Sequence, residues 1–266
     1  SGGTMRFTQF QGRNPQTTAG LNMVFDGGVM EPIASGFSYS ATNKQSFVIE
    51  AGGLTVNTPA GIRHGLTFPI TGAGALTKTG PGELVFAKGL TYTSASETNS
   101  LGLPTAASGL VTGNHTGGTT VQQGTLSVSN GTIRADAAVA VATNAVLNLS
   151  AGAVALGEVS GSGTVSNGVL TAGYRCHASS GTNDCIVLAD VTLPSGWTVT
   201  FDRAEGYALT NRQTLAVATR AGSTDLNLAA WKAANVGEKM GASFTRVGDT
   251  VYATVYFTGG TLITVR

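Results

Sequence analysis

The sequence predicts an all-β fold, a right-handed parallel β-helix (solenoid) closed by a mixed, mostly β C-terminal cap. Three features carry that expectation. Glycine supplies 38 of 266 residues, about twice the usual share, while charged residues make up only 11%. Thr, Ser, Ala, Asn and Val fill much of the remainder, which suits short strands between glycine turns. Apolar-x-apolar triplets recur at a nearly constant spacing along the chain. This composition excludes helical bundles and coiled coils. Disorder is excluded too, because apolar residues still supply 41%.

The first element, residues 1–21, stands outside the repeat. Thr4 to Phe10 reads as a short strand carrying Met5, Phe7 and Phe10, followed by the turn-rich Gly12-Arg13-Asn14-Pro15. Such a strand has two fates: it folds back on its own first coil, or it adds to an exposed edge of a neighbouring copy. Met5, Phe7 and Phe10 are therefore candidate assembly residues, and other copies of the chain a candidate partner in a head-to-tail fibre.

Residues 22–173 hold the repeat. Leu126-Ser127-Val128 and Leu147-Asn148-Leu149 begin 21 residues apart, whereas Leu84-Val85-Phe86 precedes the former by 42. Ser94 to His115, 22 residues with no strand pattern, lies in that gap, and removing it restores a period near 20. The segment 94–115 is thus expected to be an inserted loop, with Leu101, Leu103, Leu110 and Asn114 as candidate binding residues. Secondary triplets at Val139-Ala140-Val141 and Val154-Ala155-Leu156 give each period more than one strand. Positions one and three of a triplet share a face, which is expected to point into the stack. Corners such as Gly72-Ala73-Gly74 and Gly161-Ser162-Gly163 supply positive φ or close approach between coils. A β-sandwich is the competing architecture, but it favours hairpins and longer alternating strands, which occur only near the end of the chain.

The segments Gly72-Ala-Gly-Ala-Leu-Thr-Lys-Thr-Gly-Pro-Gly-Glu-Leu-Val-Phe86, Thr91-Tyr92-Thr93 and Thr116-Gly-Gly-Thr-Thr-Val-Gln-Gln-Gly-Thr-Leu-Ser-Val128 closely resemble the autotransporter-associated β-strand repeat, or passenger-associated transport repeat. The departure from its pattern is the insertion between Thr93 and Thr116. Looser echoes at Phe25-Asp26-Gly27-Gly28, Ala51 to Val56 and Val159 to Val165 extend the resemblance over roughly residues 22 to 173. It implies a parallel β-helix on or outside a bacterial cell and no catalytic residues. A final run of alternating membrane strands, as in a transporter barrel, is not apparent in the sequence.

Residues 174–266 read as a disulfide loop followed by the cap. Cys176 and Cys185 fall in one short stretch of a hydroxyl-rich chain, which points to a local disulfide and an oxidising compartment. Strands are expected at Trp197–Phe201 and Thr214–Ala218, and a short helix over Asp225–Asn235 packing Leu228 and Trp231. A hairpin is expected at Phe244–Val247 and Thr250–Phe257 around Gly248-Asp249, with a last strand at Thr261–Val265.

Chemistry-bearing candidates are few. Asp202-Arg203-Ala204-Glu205 brings two carboxylates together, but no second cluster recurs at the coil period to build a catalytic groove, so it reads as a solvated turn. Cys176, His177, Asp184 and Cys185 match no metal-ligand spacing. His64, His115 and His177 lie in Gly, Asn or Ser surroundings without a nucleophile elbow. Gly72-x-Gly74 and Gly80-x-Gly82 lack the following helix of a phosphate cradle. Lys78 reads as a repeat residue at a coil edge, and Tyr92 as an aromatic stacking on the coil. No catalytic, cofactor or metal residue is expected.

A net charge of +1 leaves no field to gather nucleic acid, and no apolar run reaches the length of a membrane span. The chain opens at Ser1 without a basic or apolar leader, which suggests that any signal peptide has been removed. The expected function is that of an extracellular structural element of a bacterial surface or filament. Alternatives are an adhesin or glycan-binding passenger, whose partner would be a glycan or protein, and, behind these, a polysaccharide-degrading β-helix.

Overall fold

Each element is short because an apolar–hydroxyl alternation of four or five residues runs into a glycine corner. The computed structural model describes residues 2–12, 21–40, 45–67, 69–87, 113, 115–129, 133, 137–154 and 156–258. In it these strands build three sheets. The first runs from Thr4–Phe7 through Val29–Pro32, Leu54–Asn57 and Leu76–Thr79 to Thr198–Arg203 and Lys232–Ala234. The second runs from Gln11–Gly12 through Arg63–Leu66, Glu83–Ala87 and Thr125–Ser129 to Thr214–Ala221. The third holds Leu21–Phe25, Gln45–Ile49 and Ile70–Thr71, and single bridges from Ile70 to Gly113 and on to Ile133 continue its line.

The chain enters the sheets in rotation, so successive strands of one sheet come from successive circuits of the chain. All neighbours along the first sheet's main path pair in parallel. The protein is all-β with long parallel sheets, and among the described residues antiparallel pairs occur only from Ala178 onward. Register follows the apolar pattern. In the first sheet Leu54, Leu76, Thr119, Val139, Val159, Tyr174 and Val199 stack in one column. In the second, His64, Leu84, Leu126, Leu147, Val165 and Leu188 do the same. Both columns are buried and form the core between the sheets.

Leu84 pairs directly with Leu126, so the intervening residues do not disturb the register. Residues 88–112 and 114, including the candidate binding residues Leu101, Leu103, Leu110 and Asn114 and the aromatic Tyr92, lie outside the described residues. Gly113 and His115, however, are buried, and Gly113 bridges two circuits of the third sheet. The expected boundary of the insertion at 115 is therefore corrected, because the chain has already rejoined the stack at Gly113.

Corners run so close together that glycine is obligatory at some of them. At Gly72, φ is +103° and a Cβ would stand 2.2 Å from the carbonyl oxygen of Ile49 on the previous circuit.

Parallel pairing does not stop at 173: Gly173–Ser179, Thr198–Arg203 and Lys232–Ala234 continue the first sheet. The helix expected over 225–235 is corrected to a single 3-10 turn, Leu228–Ala230. Lys232 N–H donates to Trp197 O at 2.9 Å, so sheet pairing takes the backbone donor that a continuing helix would need. The hairpin forms as expected, with Met240–Val247 antiparallel to Thr250–Phe257 across Gly248 and Asp249. Thr250–Phe257 also pairs antiparallel with Thr214–Ala221. Residues 261–265 lie outside the described residues.

Candidate functional site

Among the described residues three basic side chains, Lys78, His64 and His115, are buried beside the apolar columns. Lys78 stands between Val56 and Val121 in the first sheet and is fully buried, which corrects its expected place at a coil edge. Its pleat position turns the side chain inward, and its length carries the ammonium back to the corner. There Nζ donates to the carbonyls of Thr79 (2.8 Å), Gly80 (2.7 Å) and Gln123 (3.0 Å). Three donors meet three acceptors, so the charge is satisfied. Burial still pulls its pKa down to about 8.

His64 heads the second sheet's column. Its Nε2 lies 2.9 Å from Ser38 Oγ and its Nδ1 lies 3.4 Å from Ala34 O. The tautomer that satisfies both carries the proton on Nδ1, so Nε2 accepts from the serine hydroxyl. Ser38 Oγ in turn accepts the Phe10 amide proton at 3.0 Å, and Phe7 sets its ring edge-on to the imidazole. The distance matches that of a nucleophile and base, yet both residues are completely buried. The pair acts as a polar bolt across the first circuits. His115, the third group, is held through Nε2 by Gly118 O and Thr119 Oγ1, each at 3.0 Å. Burial lowers the pKa of both histidines.

The candidate assembly residues are anchored at home. Thr4–Phe7 pairs in parallel with Val29–Pro32 of its own chain. Phe7 is buried against Phe10, and Phe10 meets Phe47 edge-on. Met5, by contrast, is 39% exposed.

Cys176 and Cys185 are separate thiols, which corrects the expected disulfide. Cys176 lies on the inward face of the first sheet, its Sγ 3.3 Å from Asp184 O, whereas Cys185 precedes a strand of the second sheet with its Sγ 3.6 Å from Thr219 Oγ1. The two sulfurs take different partners, Asp184 O and Thr219 Oγ1, and are not bonded to each other. Burial pushes the Cys176 thiol up to about 12 and raises that of Cys185. On the outer face, Glu158 pairs with Arg175, and His177 Nδ1 lies 3.8 Å from Asp202 Oδ2. Among the described residues no group of three or more His, Cys, Asp or Glu side chains is placed to hold a metal.

Among the described residues a cleft of about 260 Å³ opens where the strand Ile186–Thr192 turns its corner beside the next circuit. Val191 and Trp231, both buried, form its floor, and Leu193 adds to the wall. The rim is polar: Asp190, Ser195, Ser223, Asp225 and Asn227. Asp190 takes φ +54°, and its Oδ1 accepts both the Ser223 amide proton (2.7 Å) and the Ser223 hydroxyl proton (2.8 Å). These bonds hold its carboxyl below the usual range. Gly222 beside it takes φ +62°, a backbone that favours glycine. Buried Thr224 fixes the opposite loop, donating to Leu188 O and accepting from Val191 N–H.

The chain matches no family model, no curated protein and no solved structure. Its function therefore has to be read from its own chemistry. Sequence reasoning missed Ser38, Asp190 and Trp231 as partners in polar or aromatic sites. The one available signal was Asp190 itself, an acid within an apolar run, Ile186 to Leu193.

Proposed function

We infer that the chain is a right-handed parallel β-solenoid of the autotransporter-associated repeat type, serving as a structural element of a bacterial surface or extracellular filament. The observation that carries this reading is the Leu84–Leu126 pairing. It stacks the two halves of the repeat motif, Gly80 to Phe86 and Gly124 to Val128, directly on each other across the insertion. A ladder of parallel strands, buried columns and a hydroxyl-rich, weakly charged exterior suits a rigid spacer that tolerates close neighbours. In this reading copies of the chain are partners. The N-terminal strand stays with its own chain, and its outer edge, beside exposed Met5 and Ile33, faces the neighbour.

Electron microscopy of native cells labelled with antibody to the chain tests the location, and images of the purified protein test the shape. The expected result is surface or filament labelling and a rod with a repeat of about 4.8 Å along its axis. Labelling confined to the cell interior, or a globular particle without that repeat, overturns the reading.

A further inference from the structure

We propose that the cleft between Asp190 and Trp231 binds one residue of a neutral glycan, with its pyranose ring on the apolar floor and its hydroxyls on the rim. This site is independent of the structural reading, and a failure of one leaves the other standing.

Size argues first. At about 260 Å³ the cleft lies just below the range of roughly 300 to 1,000 Å³ that takes drug-sized ligands, so it fits a single small ring.

The lining chemistry decides the class. A sugar hydroxyl both donates and accepts, and the rim offers both functions. The carboxylates of Asp190 and Asp225 only accept, and so does the Ser223 hydroxyl, whose proton goes to Asp190, whereas the hydroxyl of Ser195 and the amide of Asn227 do either. An ammonium ligand would use the acceptors alone and leave the donors idle. An anion would face two carboxylates. No Lys or Arg lines the cleft, and Lys232 Nζ stands near Gly196 at its margin. Below the rim, half-buried Leu193 and the exposed margin of Trp231, over buried Val191, offer a small apolar surface that suits the C–H face of a pyranose.

Rigidity makes this arrangement a built site rather than a loose corner. Asp190 is pinned by Ser223, and the loop that carries Ser223, Asp225 and Asn227 is tied to the strand below it through Thr224. The indole of Trp231 is wedged between Trp197, centroid to centroid 4.7 Å, and Phe244, 5.4 Å. Tyr174 stacks behind Trp197 at 6.2 Å. The polar groups are thus held before any ligand arrives, which lowers the ordering cost of binding.

The test is a glycan array probed with the intact chain, followed by titration of the strongest neutral oligosaccharide while the backbone amides and the Trp indole signals are followed by NMR. Asp190→Asn retains a side chain that tolerates the left-handed backbone, and Asp225→Asn alters only an exposed rim group, so both variants keep the fold. The expected result is saturable binding that shifts the signals of Ser223, Asn227 and Trp231 and weakens about tenfold or more in each variant. Silence across the array overturns the proposal. So does binding that the two variants leave unchanged, or signals in the cleft that move with spermidine or calcium chloride but with no sugar.

Discussion

Lys78 Nζ and the carbonyl oxygen of Gln123 lie 3.0 Å apart, although 45 residues separate them in the chain. The same ammonium also binds Thr79 O and Gly80 O, so one side chain fastens the corner of its circuit to the corner of the next. Replacing it with an apolar residue of similar length leaves three corner carbonyls without their donor. Lys78→Met should therefore destabilise the fold by about 2 to 4 kcal/mol, read as a lower urea midpoint with an unchanged slope. A midpoint equal to that of the unaltered chain would show that the three bonds contribute nothing net.

Lys78 also predicts an alkaline dependence. Its pKa is lowered from 10.5 to about 8 in the folded chain. Below pH 8 folded and unfolded chains both hold the proton. Between about 8 and 10.5 the unfolded chain binds more protons, so stability rises with pH through that window. The rise amounts to about 3 kcal/mol at most. Urea unfolding across this range should show the rise in the unaltered chain and not in Lys78→Met; parallel curves for the two contradict it.

Acid acts through the histidines. His64 and His115 both have pKa values lowered by burial, so the folded chain loses their protons before the unfolded chain does. As pH falls through 6.5 the unfolded state takes up protons first, and stability drops by up to about 1.4 kcal/mol per pH unit for each histidine. His64→Gln should reduce the slope of stability against pH below about 6.5. An identical slope in that variant would place the acid sensitivity elsewhere.

Two separate thiols predict the intact mass. Without reductant, the chain should carry the mass of both cysteines reduced, about 2 Da above the bridged form. Iodoacetamide should modify both in the unfolded chain and Cys176 very slowly in the native one, since that thiol is buried with a pKa of about 12. A mass 2 Da lower would restore the bridge.

Direct pairing of Leu84 with Leu126 makes residues 94–111 unnecessary for register. Exchanging them for a short Gly-Ser linker, with Gly113 and His115 retained, should move the thermal midpoint by only a few degrees. A large loss of stability would mean that the exchanged residues hold part of the core.

Much of the fold was legible because its signal is local. The triplets at 84, 126 and 147 fix which side chains turn inward, through the two-residue period of a strand, and their spacing fixes the circuit length despite an interruption of 22 residues. The same local signal marked the closing hairpin, since Gly248-Asp249 between alternating strands specifies its own turn.

Tertiary structure decided what depends on the neighbour one circuit away. Lys78 occupies an inward position whose polarity argued for the surface. Its own corner, through Thr79 and Gly80, and the next one, through Gln123, together supply the acceptors that let it stay inside. Ser38 meets His64 because 26 residues of chain close one circuit between them. Cys176 and Cys185, nine positions apart, place their sulfurs on different partners, Asp184 O and Thr219 Oγ1. Asp190 and Trp231 share a cleft only because their circuits stack. Strand periodicity is fixed by sterics within a few residues, whereas these contacts depend on which circuits stack and on how each side chain turns at its corner. The sequence by itself thus determined most of the strands, their inward faces and their period, and stacking determined the long-range meetings of polar groups.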